Sequence, residues 1–457
     1  MQWSSPGNAW LPLNLFTLRL RLTSAGKAVK TNPLRMVPVL SLLFMVARMP
    51  ALPAADVDAA DPLKSATERI EKIRKAPVSI EVRDKFGRKI PGAIVRVEQI
   101  RHEFLFGCNV FILYKLTGEA HQAYANRFNA LFNYATLPFY WGTYEPERGR
   151  TQREQLRQIA QWCKAYGIST KGHPLVWHEV YPKWAPTDAA EVRAAYRRRI
   201  QEIVPDFKGL VDRWDVVNEA TVATKFKSGE SQWVLRDGPA RVVEDALAWA
   251  HAANPEAELV YNDYNLGADH QALIAQLIKD GAPFSVIGLQ SHMHAGEWSL
   301  AEVWKTCETY AAFGKKLHFT EVSVVSGEHG WERPLPWEST PEGEQRQAEY
   351  VEKFYTLLFS HPAVGAITWW DLPDGQWQGA PSGLLHKDLS PKPAYERLQK
   401  LVRRTWWTRA SLVSDAAGRC EFTGFRGDYQ VTVQAGGKTR TASFSLGKAG
   451  DTWVIKI

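Results

Sequence analysis

Apolar, strand-like runs alternate with amphipathic helical stretches through most of this 457-residue chain. Helical periodicity is clearest at residues 153–166, 189–203 and 344–359. The strand-like runs are residues 104–109, 131–137, 169–177, 212–218, 258–263, 284–290, 317–321 and 364–370. Strands that alternate with helices are typical of a parallel sheet covered by helices. Eight such units predict an α/β fold, a closed (β/α)8 TIM barrel, rather than an open sheet.

Sequence of β character flanks the predicted barrel on both sides. Before the barrel, residues 66–75 predict a short helix. Two alternating runs, 78–83 and 93–98, with a turn between them, predict a β-hairpin. After the barrel, glycines separate three alternating runs at residues 429–433, 441–446 and 453–457. These flanking stretches form one small accessory β-structure or two, with a role in either packing or polysaccharide binding.

The predicted organisation has four parts. They are a leader or signal peptide at 1–55, a helix plus β-hairpin segment at 56–103, the barrel at 104–404 and a C-terminal accessory β-domain at 405–457. The leader has six basic residues and no acidic one, then a short apolar run and small residues, as secretory signal peptides do. This pattern predicts a secreted or periplasmic protein, with an uncleaved N-terminal anchor as the alternative.

The charge and the cysteines limit the possible partners. Without the leader, the formal net charge falls from +7 to +1, which removes the electrostatic argument for a nucleic-acid partner or, after processing, a membrane partner. The four cysteines are scattered and lack metal-ligand spacing. They are Cys108, Cys163, Cys307 and Cys420. Buried free thiols are favoured over a disulfide, and no metal or cofactor is predicted.

Two glutamates each close a strand-like run. Glu219 follows the fourth run, and Glu321 ends the seventh. Reactive side chains of TIM barrels come from the carboxyl ends of different strands, so these two are expected to meet across one mouth. A pair of carboxyl groups in that position fits double-carboxylate glycoside hydrolysis. Either glutamate alone is equally consistent with a structural ion pair.

The motifs around these glutamates are specific. The segment from about Phe104 to Leu401 resembles glycoside hydrolase family 10, whose members include endo-β-1,4-xylanases. Trp214-Asp215-Val216-Val217-Asn218-Glu219-Ala220 resembles the family's acid/base motif, and Phe319-Thr320-Glu321 resembles its nucleophile motif. The resemblance implies a retaining double displacement, with Glu219 as proton donor and general base and Glu321 as nucleophile.

Other strand-end motifs resemble the family's sugar-binding pocket. They include Gly172-His173-Pro174-Leu175-Val176-Trp177-His178 and Gly288-Leu289-Gln290-Ser291-His292. The resemblance implies that a polysaccharide or oligosaccharide is bound by His173, Trp177, Asn218, Tyr264, Gln290, His292, Trp370 and Trp377. Among these, His292 is expected to hydrogen-bond the nucleophile. Taken singly, each histidine is as consistent with a packed core residue as with a site residue.

The chain departs from the family mainly on the side of the nonreducing sugars. The second strand-like run lacks the family's Glu-Asn pair, and Tyr140 stands where the family has Lys. Val180 replaces a family Gln, and Ser323 replaces an Asp that commonly follows the nucleophile. The expected function is a secreted retaining hydrolase of β-1,4-xylan or a related plant-type β-glycan. A β-glycosidase acting on another or decorated sugar, and a catalytically silent carbohydrate-binding protein, are the alternatives. Endo or exo action and the oligomeric state stay open.

Overall fold

The computed structural model describes residues 61–330 and 336–457, so the predicted leader at 1–55 lies outside the described residues. Fifteen strands are present in this part of the chain. They are β1 (Lys75–Arg83), β2 (Ile94–His102), β3 (Leu105–Asn109), β4 (Tyr134–Pro138), β5 (Ser169–His173), β6 (Arg213–Asn218), β7 (Glu258–Asp263), β8 (Val286–Met293), β9 (Lys316–Val324), β10 (Val364–Trp369), β11 (Arg409–Val413), β12 (Arg419–Phe425), β13 (Gly427–Ala435), β14 (Lys438–Leu446) and β15 (Asp451–Lys456).

Eleven α-helices accompany these strands within the described ranges. They are α1 (Ala66–Arg74), α2 (Gly118–Leu131), α3 (Trp141–Tyr144), α4 (Arg153–Ala165), α5 (Ala189–Asp206), α6 (Gly229–Asp237), α7 (Pro239–Ala253), α8 (Ala268–Lys279), α9 (Leu300–Ala311), α10 (Pro341–Phe359) and α11 (Pro393–Lys400). The sequence explains their placement. For example, α4 buries Leu156, Ile159, Ala160 and Cys163, which share one helical face at spacings of three and four. Asp188 caps α5 by accepting from two of its free backbone N–H groups.

The strands β3 to β10 form the predicted barrel. Each pairs in parallel with the next in chain order, and β10 closes on β3. The prediction of a (β/α)8 TIM barrel is therefore confirmed. Several strand bounds differ from the prediction, among them the ends of the third and seventh barrel strands. The third barrel strand ends at His173 rather than at residue 177, because Pro174 has no N–H to continue the ladder. The seventh continues to Val324, so Glu321 lies inside β9 rather than at its last residue.

The remaining strands form two sheets that share one core. One sheet has the order β12-β1-β15 and the other β11-β2-β13-β14. The flanking stretches thus combine into a single β-sandwich that includes residues from both ends of the described chain. The predicted hairpin of β1 and β2 is wrong, since these strands lie in different sheets. The chain does turn back at Arg83 and Lys89, but Pro91 and Gly92, with a φ of +70°, then lead it across to the other sheet.

The sandwich joins the barrel at the amino-terminal ends of the barrel strands. His102, at the end of β2, packs its ring against Phe106 of β3 and Phe359 of α10. The buried Arg74 side chain donates to the carbonyl oxygens of Phe359 and Val364, where β10 begins. The sandwich therefore lies at the end of the barrel opposite the mouth.

None of the helices in the described ranges combines the length and the apolar character needed to cross a membrane.

Candidate active site

Two buried glutamates lie at the carboxyl-terminal mouth of the barrel. Glu219 directly follows β6, and its backbone N–H donates to the carbonyl oxygen of Asn262 on β7 (2.8 Å). Its φ of +60° lies in the left-handed region, which is uncommon for a residue other than glycine, so its surroundings must hold it there. Glu321 pairs with Gln290 of the adjacent β8. Only 7% of Glu219 and 5% of Glu321 are exposed.

The carboxyl group of Glu219 accepts three hydrogen bonds. Trp177 Nε1 donates to its Oε2 atom (2.9 Å), and Gln290 Nε2 (2.9 Å) and Asn218 Nδ2 (3.0 Å) donate to its Oε1 atom. Burial, together with the nearby charge of Glu321, raises the pKa of Glu219 to about 8, against the opposing effect of the hydrogen bonds. Glu219 is therefore protonated at neutral pH and can act as an acid.

The carboxyl group of Glu321 has the opposite character. Asn262 Nδ2 donates to its Oε1 atom (2.8 Å), and His292 Nε2 is hydrogen-bonded to its Oε2 atom (3.2 Å). His173 Nε2 lies 3.9 Å from Oε1. Burial alone would raise the pKa of Glu321, but the charge of His173 and the hydrogen bond with His292 lower it below its ordinary value. Glu321 is therefore ionised at neutral pH and can act as a nucleophile.

A buried ion pair supports His173 from the interior of the barrel. Asp215 of β6 is fully buried, and its Oδ2 atom lies 2.6 Å from Lys171 Nζ and 2.8 Å from His173 Nδ1. Although burial raises the pKa of Asp215, Lys171 and His173 lower it overall. Because Nδ1 is occupied in this way, the other ring nitrogen of His173 faces Glu321.

Amide side chains connect the two glutamates. Asn262 donates to Asn218 Oδ1 (2.7 Å) as well as to Glu321, and its own Oδ1 accepts from the Thr320 hydroxyl (2.5 Å). Gln290 donates to Asn218 Oδ1 (3.2 Å) in addition to Glu219. The two carboxyl groups are thus fixed by one hydrogen-bond network that spans β6, β7, β8 and β9.

Comparison with known proteins agrees with this geometry. The profile of glycosyl hydrolase family 10 matches residues 99–401, which include the whole barrel. The chain belongs to this family. An endo-1,4-beta-xylanase B of Thermotoga neapolitana is 29% identical to this family 10 chain over 281 residues, covering 57% of the chain and 78% of that protein.

Two further relatives define the extent of the likeness. The anti-sigma-I factor RsgI6 of Acetivibrio thermocellus is 28% identical over 85% of the family 10 chain, which spans only 48% of that protein. The native xylanase 10B of Thermotoga maritima has a crystal structure that is 26% identical, with a TM-score of 0.58, and covers 66% of this chain and 96% of that chain. The likeness to this solved structure therefore extends over about the length of the barrel.

One departure from the family lies two residues after Glu321. Ser323, in the position where the family commonly has Asp, is hydrogen-bonded through its hydroxyl to His292 Nδ1 (2.8 Å) and donates to the Trp370 carbonyl oxygen (2.8 Å). His292 also stacks on Trp377, with ring centroids 4.5 Å apart and an interplanar angle of 8°. In this family 10 chain, the Ser323 hydroxyl therefore holds the Nδ1 side of the imidazole, and the Trp377 ring packs against its face.

The structure brings the predicted site residues to one mouth. Trp177 and Trp370 contact the groups around the glutamates, whereas Tyr264 is 47% exposed at the rim, where burial and Glu219 raise its pKa to about 12. Sequence reasoning missed Asp215, Lys171 and Asn262 as site residues. For Asp215, the available signal was a charged residue between the apolar residues Trp214 and Val216 of one barrel strand.

No metal-binding arrangement accompanies the glutamates in residues 61–330 and 336–457. No group of three or more His, Cys, Asp or Glu side chains in these ranges could hold an ion. The four cysteines are buried and not joined in disulfides.

Proposed function

We propose that this family 10 protein is a retaining β-glycosidase that hydrolyses β-1,4-xylan or closely related β-glycans. The observation that supports this proposal is the pair of buried carboxyl groups whose pKa values are displaced in opposite directions, Glu219 to about 8 and Glu321 below its ordinary value. A retaining mechanism needs one protonated and one ionised carboxyl group. The xylanases among its relatives suggest the substrate.

In the first step, an ionised Glu321 oxygen attacks the anomeric carbon and forms a glycosyl ester. At the same time, the glycosidic bond breaks and Glu219 gives its proton to the leaving oxygen. In the second step, the Glu219 carboxylate takes a proton from water, whose oxygen attacks the same carbon while the ester bond between that carbon and Glu321 breaks. The sugar leaves with retained configuration, and both carboxyl groups return to their starting states.

The neighbouring groups suit these steps. The second N–H of the Asn218 amide is available to donate to a sugar 2-OH, a contact that strengthens as positive charge develops on the sugar ring. His173 and His292 keep Glu321 ionised before the attack. After the ester has formed, Glu321 no longer carries a charge. The pKa of Glu219 then falls, because that charge is one of the causes of its elevation, and Glu219 becomes a better base.

The test is hydrolysis of linear β-1,4-xylan and of an aryl β-xyloside and aryl β-xylobioside, followed by NMR of the first product. We expect cleavage with the β-anomer formed first, and loss of that activity in Glu321→Ala and Glu219→Ala. Glu147→Ala is the matched control, because this glutamate is 65% exposed in a surface pair with Arg150. Initial release of the α-anomer would contradict retention. If the wild type binds xylan without cleaving it, and both glutamate variants bind xylan equally well, the protein would be a catalytically silent binding protein.

We also propose that the protein is exported and acts outside the cytoplasm. The support is the basic and then apolar pattern of residues 1–55. Expression of the full chain, followed by fractionation and N-terminal sequencing, tests the proposal. A processed N-terminus near residue 55 in the periplasm or medium is expected, and retention of the unprocessed chain in the cytoplasm would contradict it.

A further inference from the structure

Four aromatic side chains form a continuous wall on one side of the glutamates. Phe111, which follows β3, contacts Trp370 beyond β10 edge to face, with ring centroids 5.1 Å apart. Phe111 also contacts Tyr140, which follows β4, at 5.7 Å, and Tyr140 contacts Trp177 at 5.4 Å. His173 lies behind this wall, 5.3 Å from Tyr140 and 5.2 Å from Trp370.

These spacings leave no passage for a sugar between the rings. Each pair lies within the centroid range of direct aromatic contact, 4.5–7 Å. A pyranose ring held between two aromatic faces would separate them by two van der Waals contacts, about 7–8 Å in all. A xylan chain therefore cannot run between Phe111, Tyr140 and Trp370 as they stand.

The opposite side of the mouth is open. Tyr264 follows β7, which lies across the barrel from β3, and 47% of it is exposed. The mouth is therefore bordered by an exposed ring on the side of Tyr264 and by the contiguous aromatic wall on the side of Tyr140.

The wall stands on the side where the sequence departs from its family. Tyr140 occupies the position of the family's Lys, and the Glu-Asn pair that precedes that Lys is missing. By the resemblance, those family residues hold the sugars toward the nonreducing end. Large apolar rings thus replace polar groups on the glycone side of the glutamates.

We propose that the mouth is a blind pocket with a single glycone subsite, so that the protein removes one sugar at a time from the nonreducing end of β-1,4-xylo-oligosaccharides. This inference rests on the proposed function and specifies its substrate as chain ends rather than chain interiors. Each turnover breaks one terminal glycosidic bond, consumes one water molecule and releases one monosaccharide and a shortened chain.

The first test uses xylopentaose labelled at its reducing end. A blind pocket releases unlabelled xylose from the earliest time point, and the label passes through xylotetraose and then xylotriose. Early label in xylobiose or xylotriose, before xylotetraose accumulates, would overturn the proposal while leaving the glycosidase function intact. A protein that cleaves no β-xyloside or xylo-oligosaccharide at all would overturn both.

The second test removes the wall. For direct release of the phenol, the wild type should favour an aryl β-xyloside over an aryl β-xylobioside by at least about tenfold in kcat/KM. Direct release from the xylobioside needs both sugars on the glycone side, where the second sugar clashes with the wall. In the double variant Phe111→Ala with Tyr140→Ala, that preference should decrease or reverse, and xylobiose should appear among the products. Tyr166→Ala is the matched control, because Tyr166 is 58% exposed after α4, outside the wall. A double variant that folds and still releases only xylose would show that these rings do not set the product length.

Discussion

The buried interiors of the barrel mouth and of the β-sandwich differ in polarity. The shared core of the two sheets is almost entirely apolar. It is built from residues such as Val78, Ile80, Val82, Val95, Val97, Val431, Val433, Trp453 and Ile455. At the mouth, the buried groups include both glutamates and the Lys171–Asp215 ion pair. Burying charged groups opposes folding unless each one is paired, whereas burying methyl groups favours it.

This difference in polarity indicates that the mouth serves the chemistry and that the sandwich serves the stability of the fold. The mouth places an acid with a raised pKa beside an ionised carboxylate, an arrangement that chemistry requires and folding does not favour. The sandwich contacts the barrel at the opposite end, near Phe106 and Phe359. We expect substitutions of the two glutamates to change activity more than stability. Substitutions in the sandwich should do the reverse.

The largest expected effect is on activity. Glu219→Gln removes the proton donor and should lower kcat/KM on xylo-oligosaccharides by about 10²–10⁴-fold. On an aryl xyloside with a strongly acidic phenol, the loss in the first step should be much smaller, because such a leaving group needs no protonation. Rates are measured on both substrates, together with the midpoint of thermal unfolding, which should not fall. Equal losses on the two substrates would argue against an acid role for Glu219.

The next effect is on stability at the mouth. Asp215→Asn leaves the buried Lys171 ammonium without a counter-charge and should lower the free energy of unfolding by about 3–5 kcal/mol. The matched control is Asp428→Asn in the sandwich, where the partner Arg101 is 48% exposed and the expected loss is about 0–1 kcal/mol. Urea unfolding of both variants tests the difference. Similar losses of unfolding free energy in the two variants would show that burial of the Lys171–Asp215 pair does not increase the effect of breaking it.

A sandwich variant should affect stability alone. Ile80→Ala removes a fully buried side chain of β1 and should destabilise the protein by about 2–5 kcal/mol. The specific activity of the folded fraction should stay unchanged, because the sandwich lies at the far end of the barrel. Val454→Ala, at a position that is 46% exposed, is the control and should shift stability by less than about 0.5 kcal/mol. A matching fall in activity at low temperature would show that the sandwich shapes the mouth.

The smallest expected effect is a displacement of the pH profile. Activity requires protonated Glu219 and ionised Glu321, so kcat/KM should be bell-shaped, with its alkaline limb near pH 8 and its acid limb below pH 4.5. The hydrogen bond from Gln290 lowers the pKa of Glu219, so Gln290→Ala should move the alkaline limb to higher pH. Initial rates across this range provide the measurement. A limb that moves to lower pH would contradict the direction of this effect.

The raised pKa of Glu219 also makes the stability of the folded protein depend on pH. An unfolded chain releases the proton of Glu219 near pH 4.5, while the folded protein keeps it to about pH 8. The folded state therefore binds more protons between these values, and the contribution of Glu219 to stability decreases as the pH rises from 4.5 to 8. This decrease is a cost of keeping an acid protonated at the mouth.

Much of the barrel was predictable from local pattern. The fifth barrel strand, Glu258–Asp263, coincides with its predicted bounds, because an apolar run with polar neighbours marks a buried strand clearly. The predicted hairpin of β1 and β2 failed for a different reason. Alternation shows that a run is a strand with one buried face but does not show which strand it pairs with, and β1 pairs with β12 and β15.

The site was likewise predictable only in part. Glu219 and Glu321 were identified because each stands in a specific motif after an apolar run. The support of His173 by Asp215 and the link through Asn262 came only from the structure. These contacts join residues that lie 42 and 59 positions apart, so no local pattern in the sequence reports them.

The sequence by itself thus determined the α/β barrel and the two carboxyl residues, since both depend on patterns within a few neighbouring positions. Tertiary structure decided how those carboxyl groups are held. Burial and charges from other strands set one pKa high and the other low, and they depend on distances that only the closed barrel fixes. The aromatic wall of Phe111, Tyr140, Trp177 and Trp370 was decided in the same way, because its four residues follow four different strands.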